Sequence, residues 1–315
     1  MWMMILKRLV VGALMLLVVS LIVFVGTEIL PGDVAEILLG QGATPENLAA
    51  LRLELGLDRP AAVRYLHWIG GFISGDFGVS MARNASITEL IGDRLGNTLT
   101  LAGWVAVITI PVSVSAGFVA AMYPGSLRDR GISWFTLGSI SSPEFFTATV
   151  LILFFSIEMH WLPSVSMLRG GDSAAQQIAA LALPVATLCI SLFGQITRLS
   201  RAAILNIMSE PYIEMAILKG LSRSRIVFLH AALNAIGPIV NIVALNLAYL
   251  VGGVVIVETV FAFPGLAKLM IDGVQTRDLP VVQVCAMIFC STYVVLILIA
   301  DVAAIVSNPR LRRPR

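Results

Sequence analysis

The sequence predicts an all-α, polytopic membrane protein with six transmembrane helices and both termini on the cytoplasmic side. Four observations carry this reading. Of the 315 residues, 58% are hydrophobic and 13% charged, where a soluble domain has roughly a quarter charged. Mean hydropathy is +0.92, so one water-facing core cannot hide this much apolar surface behind so few polar groups. Uncharged runs of about 20 residues or more, enough to cross the hydrocarbon, recur along the chain. Lys and Arg concentrate in alternate gaps between those runs, which sets their orientation. This composition excludes an ordinary cytosolic enzyme, a disordered chain and a small secreted scaffold. A net charge of +2 gives no field for nucleic acid, so lipid is the expected surroundings.

The first run covers 9–27 and follows Lys7 and Arg8. It is long for a signal-peptide core and no small-residue cleavage site follows, so it reads as an uncleaved helix. Residues 30–94 are too many for a bare connector and read as an extracytoplasmic loop with short helices. Thr44-Pro45-Glu46 is a helix start, with a capping hydroxyl, a first-turn proline and an acid. Leu48, Leu51 and Leu55 share a face, and Gly56 can stop the helix. A second short helix begins at Pro60 and carries Val63, Leu66 and Ile73, and Gly75-Asp76-Phe77-Gly78 is a turn. A cap over the membrane and a docking platform are both open readings of this loop.

The second span lies within 95–127 and the third within 131–157. Only Glu144 interrupts the third, roughly 20 Å from its start at about 1.5 Å per residue. Pro143 before it removes a backbone hydrogen bond. The fourth, fifth and sixth spans lie within 173–197, 226–257 and 279–300, with Gln195, Asn241 and Asn246 as further polar groups. Pro143, Glu144, Gln195, Asn241 and Asn246 are the candidates for a translocation path. The alternative for each is a hydrogen bond between helices.

Residues 199–235 form the informative inner loop. Ser209-Glu210-Pro211 is a helix start, Gly220 a stop after Lys219, and Ser222 a cap for a helix entering the fifth span. The result is an elbow with Glu214, Lys219, Arg223 and Arg225 toward the cytoplasm. An interfacial amphipathic helix would look the same.

Chemical signatures are missing. There is no Gly-x-x-x-x-Gly-Lys-Ser/Thr, no His-Glu-x-x-His and no Gly-x-Ser-x-Gly. His67, His160 and His230 are scattered, and Cys189, Cys285 and Cys290 sit in apolar runs as packing residues. The reading is a transport protein without a catalytic or metal site.

Motifs then accumulate in a fixed order. They are Leu30-Pro31-Gly32-Asp33, Leu55-Gly56-Leu57-Asp58-Arg59-Pro60, Gly75-Asp76-Phe77-Gly78-Val79-Ser80 and Arg94-Leu95-Gly96-Asn97-Thr98-Leu99. Ser142-Pro143-Glu144-Phe145, Trp161-Leu162-Pro163, Val257-Glu258-Thr259-Val260-Phe261 and Phe263-Pro264-Gly265-Leu266 follow. Arg277-Asp278-Leu279-Pro280 and Asn308-Pro309-Arg310-Leu311-Arg312 complete the series. Together they resemble the permease subunits of ABC importers of the dipeptide and oligopeptide class, over a single transmembrane domain spanning 1–315. The elbow resembles that family's coupling motif, with Glu214, Met215, Ala216, Lys219, Gly220 and Leu221 as the coupling residues. It departs from the common Arg-Thr-Ala-Arg-Ala-Lys-Gly, having Glu214-Met215-Ala216-Ile217-Leu218-Lys219-Gly220 instead.

The resemblance implies a bacterial inner-membrane importer. Its partners would be a second permease subunit in a heterodimer, two ATPase subunits binding ATP and Mg, and an extracytoplasmic substrate-binding protein. Ala216 would keep the elbow low for close approach to an ATPase. The rival is an ion-coupled secondary transporter in which Glu144 carries a proton.

Overall fold

The computed structural model describes residues 2–29, 44–54, 58–167, 171–222 and 225–307. The expectations at Leu30-Pro31-Gly32-Asp33, Gly56, Arg223 and 308–315 lie outside the described residues. The chain forms two compact units, residues 1–10, 99–263 and 292–315, and residues 11–98 and 264–291.

The long helices are α1 (Trp2–Ile29), α4 (Ile87–Met122), α7 (Ala174–Met208), α9 (Ala232–Val260) and α11 (Leu279–Ser307). Each has the length and composition to cross a membrane. Outward-facing Leu14, Leu17 and Ile22 of α1 are the side chains a lipid environment requires. The third expected span is not one rod. It consists of α5 (Leu127–Ser141) and α6 (Glu144–Leu151), the latter continuing as a π-helical stretch over Ile152–Glu158, and the two halves bend by 106°. The cause is local. Pro143 lacks an N–H and pushes Ser142 out of the helical region, to φ −89° and ψ 120°. The depth of Glu144 reckoned along a straight helix is therefore corrected, because Glu144 opens a new helix in a new direction.

The second unit holds α2 (Pro45–Glu54), α3 (Ala61–Ser74), a hairpin of β1 (Val79–Ser80) and β2 (Ala85–Ser86), the first turns of α4, and α10 (Leu266–Gln275). Its short helices start where the sequence places them. Thr44 Oγ1 accepts the Asn47 N–H, Pro60 precedes α3, and Gly75 ends α3 at φ +83°. The hairpin is an element the sequence did not announce. Val79 pairs with Ser86 and Ser80 with Ala85. It is held by Asp278, 3% exposed, whose carboxylate accepts the Ser80 hydroxyl and the N–H groups of Met81 (3.2 Å) and Ala82 (3.3 Å). A second tie joins two other signature motifs. Asn97 Nδ2 donates to the Pro264 carbonyl at 2.9 Å, and Leu266 N–H donates to Thr98 Oγ1 at 2.9 Å. Ile87, Leu266, Leu269 and Val284 pack as the apolar core beneath these bonds.

In the first unit α7 is the central element and packs on α5, α6 and α9. Ser173 and Gln176 form a reciprocal capping box at its start. Leu188, Leu192, Ile196, Leu250, Val254 and Phe261 lie in the shared core. Helix α7 runs through Arg198 to Met208, so the segment expected at 199–235 opens as a continuation of this helix. Gly117 and Gly194 mark close crossings. A Cβ on Gly117 would come within 2.9 Å of Ser200 Cβ, and one on Gly194 within 2.8 Å of the Thr136 carbonyl.

Removing Asp278 with an Asp278→Ala substitution strips three donors of their acceptor. An unsatisfied buried donor costs about 1–3 kcal/mol, so the hairpin should open locally by about 2 kcal/mol. Trypsin should then cut after Arg83 at least about tenfold faster than in the wild-type protein, since cleavage tracks the opened population.

Candidate functional site

The elbow is built by a proline and a glycine. After α7, Ser209 Oγ–H donates to the Asn206 carbonyl at 2.7 Å, and Glu210 is extended at φ −77°, ψ 145°. Pro211 then occupies the first turn of α8 (Pro211–Leu218), where its missing N–H has no intrahelical partner to lose. The helix ends in a Schellman turn. Gly220 has φ +76°, its N–H donates to the Ile217 carbonyl at 2.9 Å, and Leu221 N–H donates to the Ala216 carbonyl at 3.3 Å. The glycine is needed for that left-handed backbone, since open space surrounds its missing side chain. A π-helical stretch, Ile226–Ala231, then leads into α9.

Two faces of α8 differ. Ile213 and Ala216 are buried, and they pack with Ile226, Met208 and Leu221 of the same chain. Ala216, expected as a low surface for a partner, lies on the inward face at 8% exposure and packs within the chain. Tyr212, Met215 and Leu218, three residues apart, form an exposed stripe beside Ile217, and Leu218 is 75% exposed. Glu214 and Lys219 are exposed beside them.

The path candidates scatter over three helices. Pro143 is exposed and Glu144 half-buried at the α5–α6 bend. The Glu144 carboxylate lies over Gly253 of α9, with Oε1 2.7 Å from where a Gly253 Cβ would stand. No hydrogen bond or ion pair reaches that carboxylate among the described residues. Gln195 and Asn241 are half-buried. Asn246 is 5% exposed and its Nδ2 donates to the Ile242 carbonyl of its own helix at 2.8 Å. It stands two turns from Gly253, about 10 Å along α9.

Sequence reasoning passed over the strongest polar contact of this unit. Arg201 grips Asp129 with Nε to Oδ1 at 2.7 Å and Nη2 to Oδ2 at 2.9 Å. Asp129 Oδ2 also accepts the Gly125 N–H at 2.8 Å, and Ser126 Oγ accepts the Asp129 N–H at 3.3 Å. The signal was present: Ser126-Leu127-Arg128-Asp129 is a Ser-x-x-Asp capping pattern. Among the described residues no three His, Cys, Asp or Glu side chains gather as metal ligands.

A bent helix pair, a glycine-ended elbow and several long apolar helices are features of a polytopic membrane protein. Comparison with known proteins decides which. The family described as "Binding-protein-dependent transport system inner membrane component" matches residues 113–313, and its N-terminal companion matches residues 1–102. The chain belongs to that family. It is 34% identical over 308 residues to a probable peptide ABC transporter permease protein, y4tP, of Sinorhizobium fredii, with 98% of each chain covered. A putative peptide transport system permease of Brucella abortus is 33% identical over 308 residues, again with 98% coverage of both. The glutathione transport system permease GsiC of Escherichia coli K12 is 34% identical over the same length and coverage. The chain is thus an inner-membrane permease component of a binding-protein-dependent ABC importer, a transport subunit and not an enzyme. Nothing in these relationships favours the ion-coupled alternative. ATP-binding partners and a solute-binding protein follow from the type of system.

The Schellman turn yields a direct expectation. A Gly220→Val substitution puts a β-branched residue at φ +76°, where even an unbranched side chain costs about 1–2 kcal/mol. Hydrogen exchange of the Gly220 and Leu221 amides should accelerate by at least about fivefold, with α7 amides unchanged.

Proposed function

We propose that this chain is one of two permease subunits in a heterodimeric importer of peptides or a related small solute, and that the α8 elbow seats it on an ATPase subunit. Two ATPase subunits bind ATP and Mg in this assembly, and an extracytoplasmic binding protein delivers the solute. The observation that carries the reading is the exposed stripe of Tyr212, Met215 and Leu218 on a helix whose opposite face is anchored by Ile213 and Ala216. A short helix anchored on one side and apolar on the other suits insertion into a groove of a partner. Glu214, Lys219, Gly220 and Leu221 complete the elbow by orienting it. ATP binding closes the ATPase pair and moves the elbow. The spans then switch between two packings, because a packed interface is bistable and not continuously deformable.

Six spans with both termini in the cytoplasm are the topology that goes with this reading, the α5–α6 pair counting as one span. The ion pair of Arg8 Nη1 with Asp301 Oδ2 at 2.6 Å supports it. It joins the start of α1 to the end of α11, and two ends that meet on one face need an even number of crossings. Single cysteines at Asp58 and Leu127, with the native cysteines replaced, then separate the sides. A membrane-impermeant maleimide should modify the first in intact cells and the second only after permeabilisation. Labelling of both from outside would reject the topology.

The solute path runs past Pro143 and Glu144, with Gln195 and Asn241 beside it and Asn246 held in the helix packing. The relatives named above are assigned to peptides and glutathione. An unpaired carboxylate at a bend in a span suits a passing ammonium group, since a charge left facing lipid costs about 2.5–3.5 kcal/mol. Glu144→Gln should therefore slow uptake of a peptide with a free amino terminus about fivefold or more and leave its N-acetylated counterpart unchanged. The measurement is proteoliposome uptake of the matched pair, with a binding protein that accepts both. Equal uptake of both at wild-type rates makes Glu144 a packing residue.

A further inference from the structure

Helices α5 and α7 are fastened at several successive points. At the start of α5 the Arg201 fork holds Asp129, whose side chain is 6% exposed. Seven residues on in α5 and seven back in α7, Thr136 meets Gly194, where a Cβ would stand 2.8 Å from the Thr136 carbonyl and 2.8 Å from Ile140 Cγ1. One turn further, the Ser139 hydroxyl donates to the Ile190 carbonyl, while beside the Thr136–Gly194 contact Phe135 stands edge-on to Phe193 with centroids 5.2 Å apart. Seven residues are close to two helical turns, so these fastenings recur on one stripe of each helix.

The two ends of this pair differ in what they join. Past Arg201, α7 continues seven residues to Met208 and then the elbow. Past Ser139, α5 ends two residues later at the 106° bend, and Glu144 begins α6 against Gly253. The Arg201 fork also reaches the turn before α5, because Asp129 accepts the Gly125 N–H. A buried ion pair adds little stability over an apolar contact of the same shape, but a two-toothed guanidinium–carboxylate contact fixes orientation.

We propose that Asp129, Arg201 and Gly194 are positioning residues that make α5 and α7 one lever, so that movement at the elbow is delivered to the Pro143–Glu144 bend. The lever rests on the reading of the elbow as the ATPase seat. Without the Arg201 fork, the elbow still engages its ATPase but α5 slips, and the bend no longer follows. Gly194 is the second fastening: a side chain there separates the helices while the charges stay in place.

The test uses the complete complex in proteoliposomes, with permease pair, ATPases and binding protein. A single cysteine at Phe145, 56% exposed beside Glu144, reports the bend by its maleimide labelling rate with and without ATP and vanadate. In the wild-type background the rate should change with nucleotide. In Arg201→Met that change should shrink at least about fivefold, the lower range for coupled sites, while the ATPases still co-purify and hydrolyse ATP. Arg201→Lys keeps the charge and loses the fork, and should fall between the two. Gly194→Ala should reduce the response with the ion pair intact, and it serves as the second variant if Arg201→Met fails to insert. A full nucleotide response at Phe145 in both Arg201→Met and Gly194→Ala overturns the lever. Failure of the underlying reading is distinct: the ATPases would then remain bound and coupled when the elbow stripe is disrupted by Leu218→Asp.

Discussion

Inside a bilayer no water completes a backbone hydrogen bond, and every feature of this chain answers to that constraint. Long helices satisfy their own amides. Where a helix must end or bend at depth, something else has to serve. The helix continuing α6 closes with the Trp161 and Leu162 N–H groups both donating to the Phe155 carbonyl. The following strap is tied down by Ser166, which donates its N–H to Phe261 and its hydroxyl to Ala180. Most of this strap is exposed, and Ser166 is its buried anchor.

The same constraint explains why the signature motifs are polar. Asp278, Asn97 and Thr98 look unremarkable in a linear reading, yet each satisfies backbone groups of a segment far along the chain, and Ser80 donates its hydroxyl to the Asp278 carboxylate. They work as fasteners for loops that cannot be held by apolar packing alone. The Arg201 fork on Asp129 is of the same kind within the first unit, and it faces helix against helix instead of loop against helix.

Motion needs the opposite property, places where packing is interrupted. The bend at Pro143 and the turn at Gly220 interrupt the regular helices, and each is set by a backbone rule at a single residue. Between them lie stretches fastened at regular intervals. A protein made of stiff pieces and few joints can turn a small push at one end into a discrete rearrangement at the other.

Much of this was legible in the sequence because it depends on neighbours in the chain. Apolar runs gave the spans, Thr44 and Pro60 the short helices, Pro211 and Gly220 the elbow, and Pro143 the place of the break. These are local matters of hydrogen bonding and backbone freedom. The sequence did not give the 106° angle of that break, nor the inward face of Ala216, nor the seat of Glu144 on Gly253. It did not pair Asp278 with a hairpin 198 residues away or Arg201 with Asp129. Such partnerships are fixed by the direction in which each helix packs, and spacing along one chain does not encode which faces of two distant helices meet.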